Sequence, residues 1–451
     1  MKRKKMLGIA LAACVLMSPL GVARAGEEGA SAEIGDGFEQ TEGAPLGTLA
    51  VDPSLRSFGL SKRVNQYEAK GDGKVMLRQT WTELHLADGD GRSMLNSSNF
   101  PKLAAALEAY NYSTIHEAYR AQGELREEAL REYQERKKYG SADYFGGYSS
   151  YSDIIVKRAD TRVMSFVEMH SEYRGGAHGM TVLRGVNFDT STGERLSLHH
   201  VFPDAEMLIR VITEKLYAEN EPVIFFDSME GTVADGVIHD KISWVIGPRG
   251  VTFYFNPYDI APYASGIIST TVMFDDRPGL FRGTYNQGPA SYCEELIPYH
   301  AGKVSLRDDG SGRAETIVAY AGEGKLDIVQ NGKVIYRKPF VGGNEIKPVF
   351  VHTGAGDNYL YIDYAFDSEQ MGAGRQIDVI ALDAGKVSFV KTVPFSFRRM
   401  IDLTDTGEHW TEQWIMTDPY EFNIDESHIS VGGASKTHTV EIGDKGEPTF
   451  G

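Results

Sequence analysis

Residues 163–188 read VMSFVEMHSEYRGGAHGMTVLRGVNF, two β-runs around a glycine-rich turn. Strands are expected at 161–172 and 180–188, with another before them at 153–158. Along the first, Val163, Ser165, Val167 and Met169 share one parity, and Glu168, His170 and Glu172 the other. That alternation describes a half-buried strand with a polar, solvated face. Between the runs, Tyr173-Arg174-Gly175-Gly176-Ala177-His178-Gly179 forms the turn. Paired glycines permit positive φ or close backbone approach. His178 is suited to tie the turn down through a ring hydrogen bond; the competing reading is contact with a ligand.

Upstream, 75–86 is expected as a strand. Pro101 and the Ala/Leu-rich run to Tyr110 indicate a helix, with Leu103, Leu107 and Tyr110 on its buried face. Thr114 and Glu117 form a capping box for a second helix reaching about Arg136. It is highly charged, with a weak stripe of Ile115, Tyr119, Leu130 and Tyr133, and reads as a solvated helix lying on the domain. The segment 139–151 reads as a loop bearing Tyr139, Tyr144, Phe145, Tyr148 and Tyr151. Two readings stay open for it: rings that grip a sugar or a protein, or rings folded back on the core.

Downstream, Asp204 caps a helix to about Asn220, with Leu208, Val211, Ile212 and Leu216 facing inward. Residues 241–246 and 251–255 form a hairpin across Gly247-Pro248-Arg249-Gly250, and a strand follows at 267–273. Between them, Pro257-Tyr258 and Pro262-Tyr263 brace a compact turn. Rings on such a turn lose little entropy on binding, so a structural role and an interface role both stand. Residues 63–285 are therefore α+β.

From about 296 the helical periodicity fades and short β-runs alternate with glycine turns. Lys325-Leu326-Asp327-Ile328-Val329 followed by Gly332-Lys333-Val334-Ile335-Tyr336 parallels Gln376-Ile377-Asp378-Val379-Ile380 followed by Gly385-Lys386-Val387-Ser388-Phe389. The repeated unit is a strand, a Gly-Lys turn and a strand. Its irregular spacing favours a β-sandwich or a stack of β-meanders over a propeller.

The whole chain, 451 residues, has room for about two to four domains. Its net charge of −17 disfavours duplex nucleic acid and suits a cationic partner. Lys2 to Lys5, the apolar run 6–17 and Ala23-Arg24-Ala25 form a signal peptide over 1–25. Cleavage there removes five bases and no acid, taking the charge to −22. Leu11-Ala12-Ala13-Cys14 offers a rival lipobox reading. The expected organisation is a signal peptide (1–25), an acidic flexible tether (26–62), a small α+β domain (63–160), a second α+β domain (161–290) and a β-rich C-terminal domain (296–451). No later stretch has the ~18 apolar residues of a membrane span. After cleavage only Cys293 remains, so an intrachain disulfide is excluded.

The progression from Tyr173 to His178, then Phe188-Asp189, Thr192-Gly193 and Val201-Phe202, together with 252–266, resembles the RsiV-like domain. That domain is the extracytoplasmic part of a lysozyme-sensing anti-sigma factor and accompanies catalytic domains in some peptidoglycan deacetylases. Phe100-Pro101-Lys102-Leu103 and 107–111 resemble the small domain that usually precedes it. The resemblance covers roughly 65–285 and implies an exported module that binds lysozyme or peptidoglycan fragments. Tyr173, Gly175, Gly176, His178, Tyr258 and Tyr263 are then the expected contact residues. Only Met1 to Lys5 precede the apolar segment, so anti-sigma activity itself is not expected.

For deacetylase chemistry, Phe274-Asp275-Asp276 and His170-Ser171 mimic parts of the metal motif, but Arg174 and Gly175 stand where the second His is needed. Glu168 and Glu172 lie ~13 Å apart along a strand, beyond the reach of a glycosidase pair. His199 and His200 are adjacent, poor ligand geometry outside a loop. No GxSxG elbow or P-loop is present. The expectation is a non-catalytic binding protein with no cofactor; a wall hydrolase and a structural envelope protein are the alternatives.

Overall fold

The 163–188 stretch folds into a long antiparallel hairpin, β4 (Val163–Tyr173) and β5 (Met180–Asp189), at one edge of a mixed sheet. The remaining strands of this sheet are β1 (Leu60–Gly71), β2 (Lys74–Leu86), β3 (Tyr148–Ala159), β18 (Arg398–Ile401) and β19 (His409–Ile415), in the order β18-β19-β1-β2-β3-β4-β5. This computed structural model describes residues 51–86, 97–220, 222–277 and 279–297. Further on it describes 302–307, 314–322, 325–330, 333–339, 346–368, 372–383, 386–393, 398–401, 409–419, 422–425, 437–442 and 448–450. The expected signal peptide and the tether up to residue 50 lie outside these residues. From Val51 the tether expectation gives way to packing: Val51 bridges Gly288, and Leu55, Phe58 and Leu60 are buried. Apolar side chains at these positions leave water with the sheet rather than staying in a solvated linker.

Strands β2 and β3 are parallel, as a crossover requires, and the crossover is one helix, α1 (Pro101–Lys138). The two helices expected here are thus a single helix. Neither Asn111 nor Thr114 ends it, because both turn inward and are buried. Asn111 accepts from Leu84 N and donates to Leu84 O, both at 2.9 Å, replacing the strand partner that β2 lacks at that point. The buried stripe runs Leu103, Leu107, Tyr110, Thr114, Ala118, Leu125, Ala129, Tyr133, a helical period that differs from the weak stripe expected. Tyr119 is 46% exposed, although its ring contacts Trp81. The 139–151 loop is shorter than expected, since β3 begins at Tyr148; Phe145 and Tyr148 are buried against Tyr133 and Tyr139 and Tyr144 are exposed.

The other face of the sheet carries α2 (Leu198–Val201), α3 (Ala205–Glu219), α4 (Met229–Ile238) and a three-stranded sheet of β6 (Ser243–Ile246), β7 (Gly250–Phe255) and β8 (Ile268–Met273). Asp204 caps α3 by accepting from Met207 N, and Leu208, Val211, Ile212 and Leu216 are buried, as the sequence indicated. With both faces covered, the first half of β4 is buried on both parities, unlike the half-buried strand expected. The edge strand β5 is closed by side chains and by a close approach. Asn256 Oδ1 accepts from Leu183 N at 2.7 Å, and Ser243 Oγ accepts from Gly185 N at 2.8 Å. A Cβ on Gly185 would lie 1.8 Å from the Trp244 carbonyl. Such capping removes the pairing hazard of an open edge.

Beyond 290 the chain is all β among the described residues. A four-stranded meander comprises β10 (Gly302–Arg307), β11 (Ala314–Gly322), β12 (Lys325–Gln330) and β13 (Lys333–Pro339). A five-stranded sheet has the order β17-β16-β15-β14-β9, from β9 (Tyr292–Glu295), β14 (Ile346–His352), β15 (Asn358–Ser368), β16 (Gly372–Asp383) and β17 (Lys386–Val393). Leu326 and Ile328 of the first join Phe350, Leu360, Ile362 and Ile380 of the second in one buried cluster. A small sheet of Phe422–Asp425, Thr437–Ile442 and Pro448–Phe450 lies near the end. The sequence repeat has a structural counterpart. β12–β13 and β16–β17 are both hairpins, and each has its register shift at the same place in the repeat, between Ile328/Val329 and between Val379/Ile380. The composition change near 296 marks a change of sheet and not an end to pairing. β19 returns to β1, aligning Leu60 with Ile415 and Gln66 with His409, and so occupies what is otherwise an open strand edge. The 160/161 line likewise falls at the turn between the paired strands β3 and β4.

Candidate functional site

The β4–β5 turn and the β7–β8 connection end at the same rim. In the first, Gly175 and Gly176 have φ of +81° and +90°, the left-handed region their lack of Cβ permits. Tyr173 Oη donates across the turn to Gly176 O at 3.1 Å. His178 Nδ1 donates to Gly179 O at 3.0 Å, the ring hydrogen bond expected of it. In the second, Asn256 N donates to Asp259 Oδ2 and Asp259 N to Asn256 O, closing a β-turn. Pro257 takes its second position. Tyr258 takes the third at φ +73°, the sign a type II turn requires there, and a strained one for a residue with a Cβ. Its ring is 54% exposed.

The two loops meet through Tyr263. Its hydroxyl donates to Gly179 O at 2.7 Å, so that carbonyl accepts from both loops. Its ring stacks on His178 with centroids 4.0 Å apart and planes at 25°, and Tyr258 lies 5.7 Å away on the same ring. Tyr173, Gly175, Gly176, His178, Tyr258 and Tyr263 thus belong to one assembly, although the sequence put them in separate turns.

Helix α1 supports the rim from beneath with charge. Arg174 donates to both oxygens of Glu172, at 2.5 and 3.2 Å, and to Glu128 at 3.2 Å. Hydrogen bonding to His170, joined by Arg174 and opposed by partial burial, holds Glu172 down at about 2. Glu132 sits 3.2 Å from where a Cβ of Gly175 would be and accepts from Tyr148 Oη at 2.6 Å. Burial works against the Glu132 carboxylate, but Tyr148 and Arg136 outweigh it and keep it below its ordinary value. Glu168 is engaged by Arg184 at 2.8 Å. The face of Glu168, His170 and Glu172, expected as solvated, is therefore an ion-paired surface partly covered by α1. Glu172, held by His170 and Arg174, is a fixed anion and makes a poor proton donor. Among the described residues, no group of three His, Cys, Asp or Glu is placed to hold a metal ion. No described helix is long and apolar enough to cross a membrane. Cys293 is buried, and burial pushes its thiol well above the ordinary value, which disfavours the reactive thiolate.

Sequence reasoning missed a third loop, 222–228, between α3 and α4. Phe226 N donates to Ile260 O at 2.8 Å, so this loop is tied to the segment bearing Tyr258 and Tyr263. Its signal was present in Pro222-Val223-Ile224-Phe225-Phe226, an apolar run outside any regular element.

Residues 206–275 match the family model described as "Protein of unknown function (DUF3298)". The matched segment holds α3, α4 and β6 to β8, and with them the Tyr258–Tyr263 half of the rim. Two of the solved structures similar to this chain come from the DUF3298 family. A DUF3298 family member from Bacteroides fragilis is 18% identical, with a TM-score of 0.35, and the match covers 52% of this chain and 96% of that one. A DUF3298 family protein from Pseudomonas aeruginosa is 15% identical, with a TM-score of 0.32, covering 53% of this chain and 99% of that one. No curated protein matches.

Proposed function

We propose that this chain is an exported, envelope-associated binding protein with an RsiV-like domain over 161–290, and that its rim grips a basic lysozyme. The observation that carries this reading is the rim itself. Tyr258 stands exposed in a strained turn beside the His178–Tyr263 stack, and Gly- and Pro-braced backbone holds all three rings. Aromatic anchors of limited freedom are the usual centres of protein interfaces. The net charge of −22 left by cleavage after residue 25 would steer a cationic protein toward the chain, with an on-rate that falls as salt rises. The signal-peptide pattern at 1–25 supports export. The rim's flat rings favour a second occupant, a peptidoglycan fragment whose sugar rings stack on them.

The test is calorimetric titration of the purified protein with basic lysozyme, alongside co-sedimentation with insoluble peptidoglycan. Binding to lysozyme that weakens with His178→Ala, without loss of thermal stability, supports the first occupant. Sedimentation with peptidoglycan alone assigns the rim to glycan. Absence of both removes the binding reading.

A further inference from the structure

We infer that the α3–α4 loop is a second anchor for a cationic protein partner, a projecting apolar ledge beside the rim. This rests on the binding reading above and extends it to residues outside the two resembling turns.

The loop is built to expose what such loops usually bury. Val223 and Phe225 point into the core, and Tyr217 of α3 packs edge-on against Phe225 with centroids 5.6 Å apart. The alternate positions face out: Ile224 is 80% exposed and Phe226 37%, while Tyr217 keeps 50% of its surface in water. Ile224 is the most exposed large aliphatic side chain among the described residues. The loop is held in place. Val223 N donates to Asn220 O, Met229 N to Phe226 O, and Phe226 N to Ile260 O, at 2.7, 3.0 and 2.8 Å. A fixed loop that presents apolar side chains loses little entropy when it is covered. The bond to Ile260 makes the ledge continuous with the turn of Tyr258.

Charge selects the occupant. Residues 215–241 and 249–277 together hold nine acids against four bases, Lys215, Lys241, Arg249 and Arg277; Lys215 pairs with Glu219 and Asp276 and Lys241 with Asp235. Asp227 and Glu230 are exposed beside the ledge, and Asp259 is exposed in the Tyr258 turn. An anionic lipid surface is repelled by these three exposed carboxylates. A second copy of the chain would bring the same acids face to face. A basic protein with an apolar recess meets both requirements, since the carboxylates steer it in and Ile224 fills the recess.

The experiment measures binding of basic lysozyme by the intact protein and three variants, with melting temperatures recorded in parallel. Ile224→Asp is expected to raise Kd at least tenfold at unchanged melting temperature, because the side chain is already in water. Asp227→Asn combined with Glu230→Gln is expected to lower the on-rate severalfold and flatten its salt dependence. Tyr258→Gly reports on the rim alone. Lysozyme binding that responds to Tyr258→Gly but not to Ile224→Asp overturns the ledge and leaves the rim. Failure of the intact protein to bind lysozyme overturns both. Retention on phosphatidylglycerol vesicles that Ile224→Asp abolishes, or dimerisation that it abolishes, would reassign the ledge and overturn the proposal.

Discussion

The Tyr263 ring lies on the His178 imidazole at 4.0 Å, and the Tyr263 hydroxyl reaches past it to the same Gly179 carbonyl that His178 holds. One tyrosine thus locks two turns by face and by edge. Removing the hydroxyl and removing the ring should have separable consequences. Tyr263→Phe keeps the stack and deletes one hydrogen bond, a loss of about 1 kcal/mol in stability. Tyr263→Ala also frees the β4–β5 turn, and backbone exchange at 175–179 should quicken markedly. Equal exchange rates in the two variants would refute the stack's role.

Asp160 is the hub of the β3–β4 turn. One carboxylate oxygen accepts from Arg162 N and Val163 N, and the other pairs with Arg158 Nε at 2.7 Å. Both side chains are 1% exposed. Asp160→Ala leaves the Arg158 charge buried and uncompensated, so a loss of about 3–5 kcal/mol is expected from chemical denaturation. A loss under about 1 kcal/mol would show that water reaches the guanidinium.

At Gly185, β5 and β6 approach so closely that there is room for a hydrogen and not for a methyl. Gly185→Ala would drive a methyl to 1.8 Å from the Trp244 carbonyl, backbone against backbone. Neither strand has a rotamer to change, so the penalty belongs at or above the upper end of overpacking, about 3 kcal/mol. Gly73→Ala makes a useful contrast: its site has open space, and only its φ of +76° resists the substitution. The melting temperatures of the two variants should differ widely.

These positions show what a single sequence reveals and what it conceals. The α3 helix was legible because Asp204, the apolar spacing and the end near Asn220 are all local signals. So were the β6–β7 hairpin and the repeated β-hairpins, where even the register shift recurs. The continuity of α1 was not legible. Thr114 and Glu117 read as a capping box until Thr114 is seen buried inside the helix, close to Asn111, whose amide serves Leu84, 27 residues away. The pairing of β19 with β1 spans most of the chain, and α4 contains Gly231 and Gly236, which weaken any helical signal. Both rim turns were readable from their glycines and prolines, but their meeting at Tyr263 depends on the packing of two sheets.

A buried ionic network joins the first sheet to the five-stranded one and should make that junction sensitive to acid. Lys62 Nζ, 1% exposed, donates to Ile154 O and pairs with Asp153 at 3.3 Å and Glu295 at 3.5 Å. Lys347 approaches Asp153 at 3.7 Å, and Lys157 pairs with Glu294 at 3.2 Å. Burial opposes the Asp153 carboxylate, yet Lys347 and Lys62 outweigh it and hold it well below the usual range. A depressed folded value means the pairing stabilises fully above the ordinary Asp value of about 3.9 and is lost as pH falls through the folded one. Amide exchange at Tyr292–Glu295 should therefore stay slow near neutrality and quicken only in strong acid. Asp153→Asn should weaken the junction at neutral pH and flatten its acid dependence; an unchanged acid profile in that variant would place the titration elsewhere.

Tyr258 offers the cleanest separation of folding from binding. Its φ of +73° is a conformation that glycine adopts freely and a tyrosine adopts at a penalty of order 1–3 kcal/mol. Its ring is 54% exposed, so folding gains little from it. Tyr258→Gly should therefore keep the turn and leave the melting temperature equal or higher, after the greater entropy of the unfolded glycine chain is set against the relieved strain. If the ring anchors a partner, the same substitution should weaken binding by about 2 kcal/mol. A variant that melts higher and binds worse would identify Tyr258 as a residue kept for contact and not for fold. A variant that melts lower by several degrees would mean that the ring's packing on Tyr263 outweighs the strain, and binding would then have to be compared at matched folded fractions.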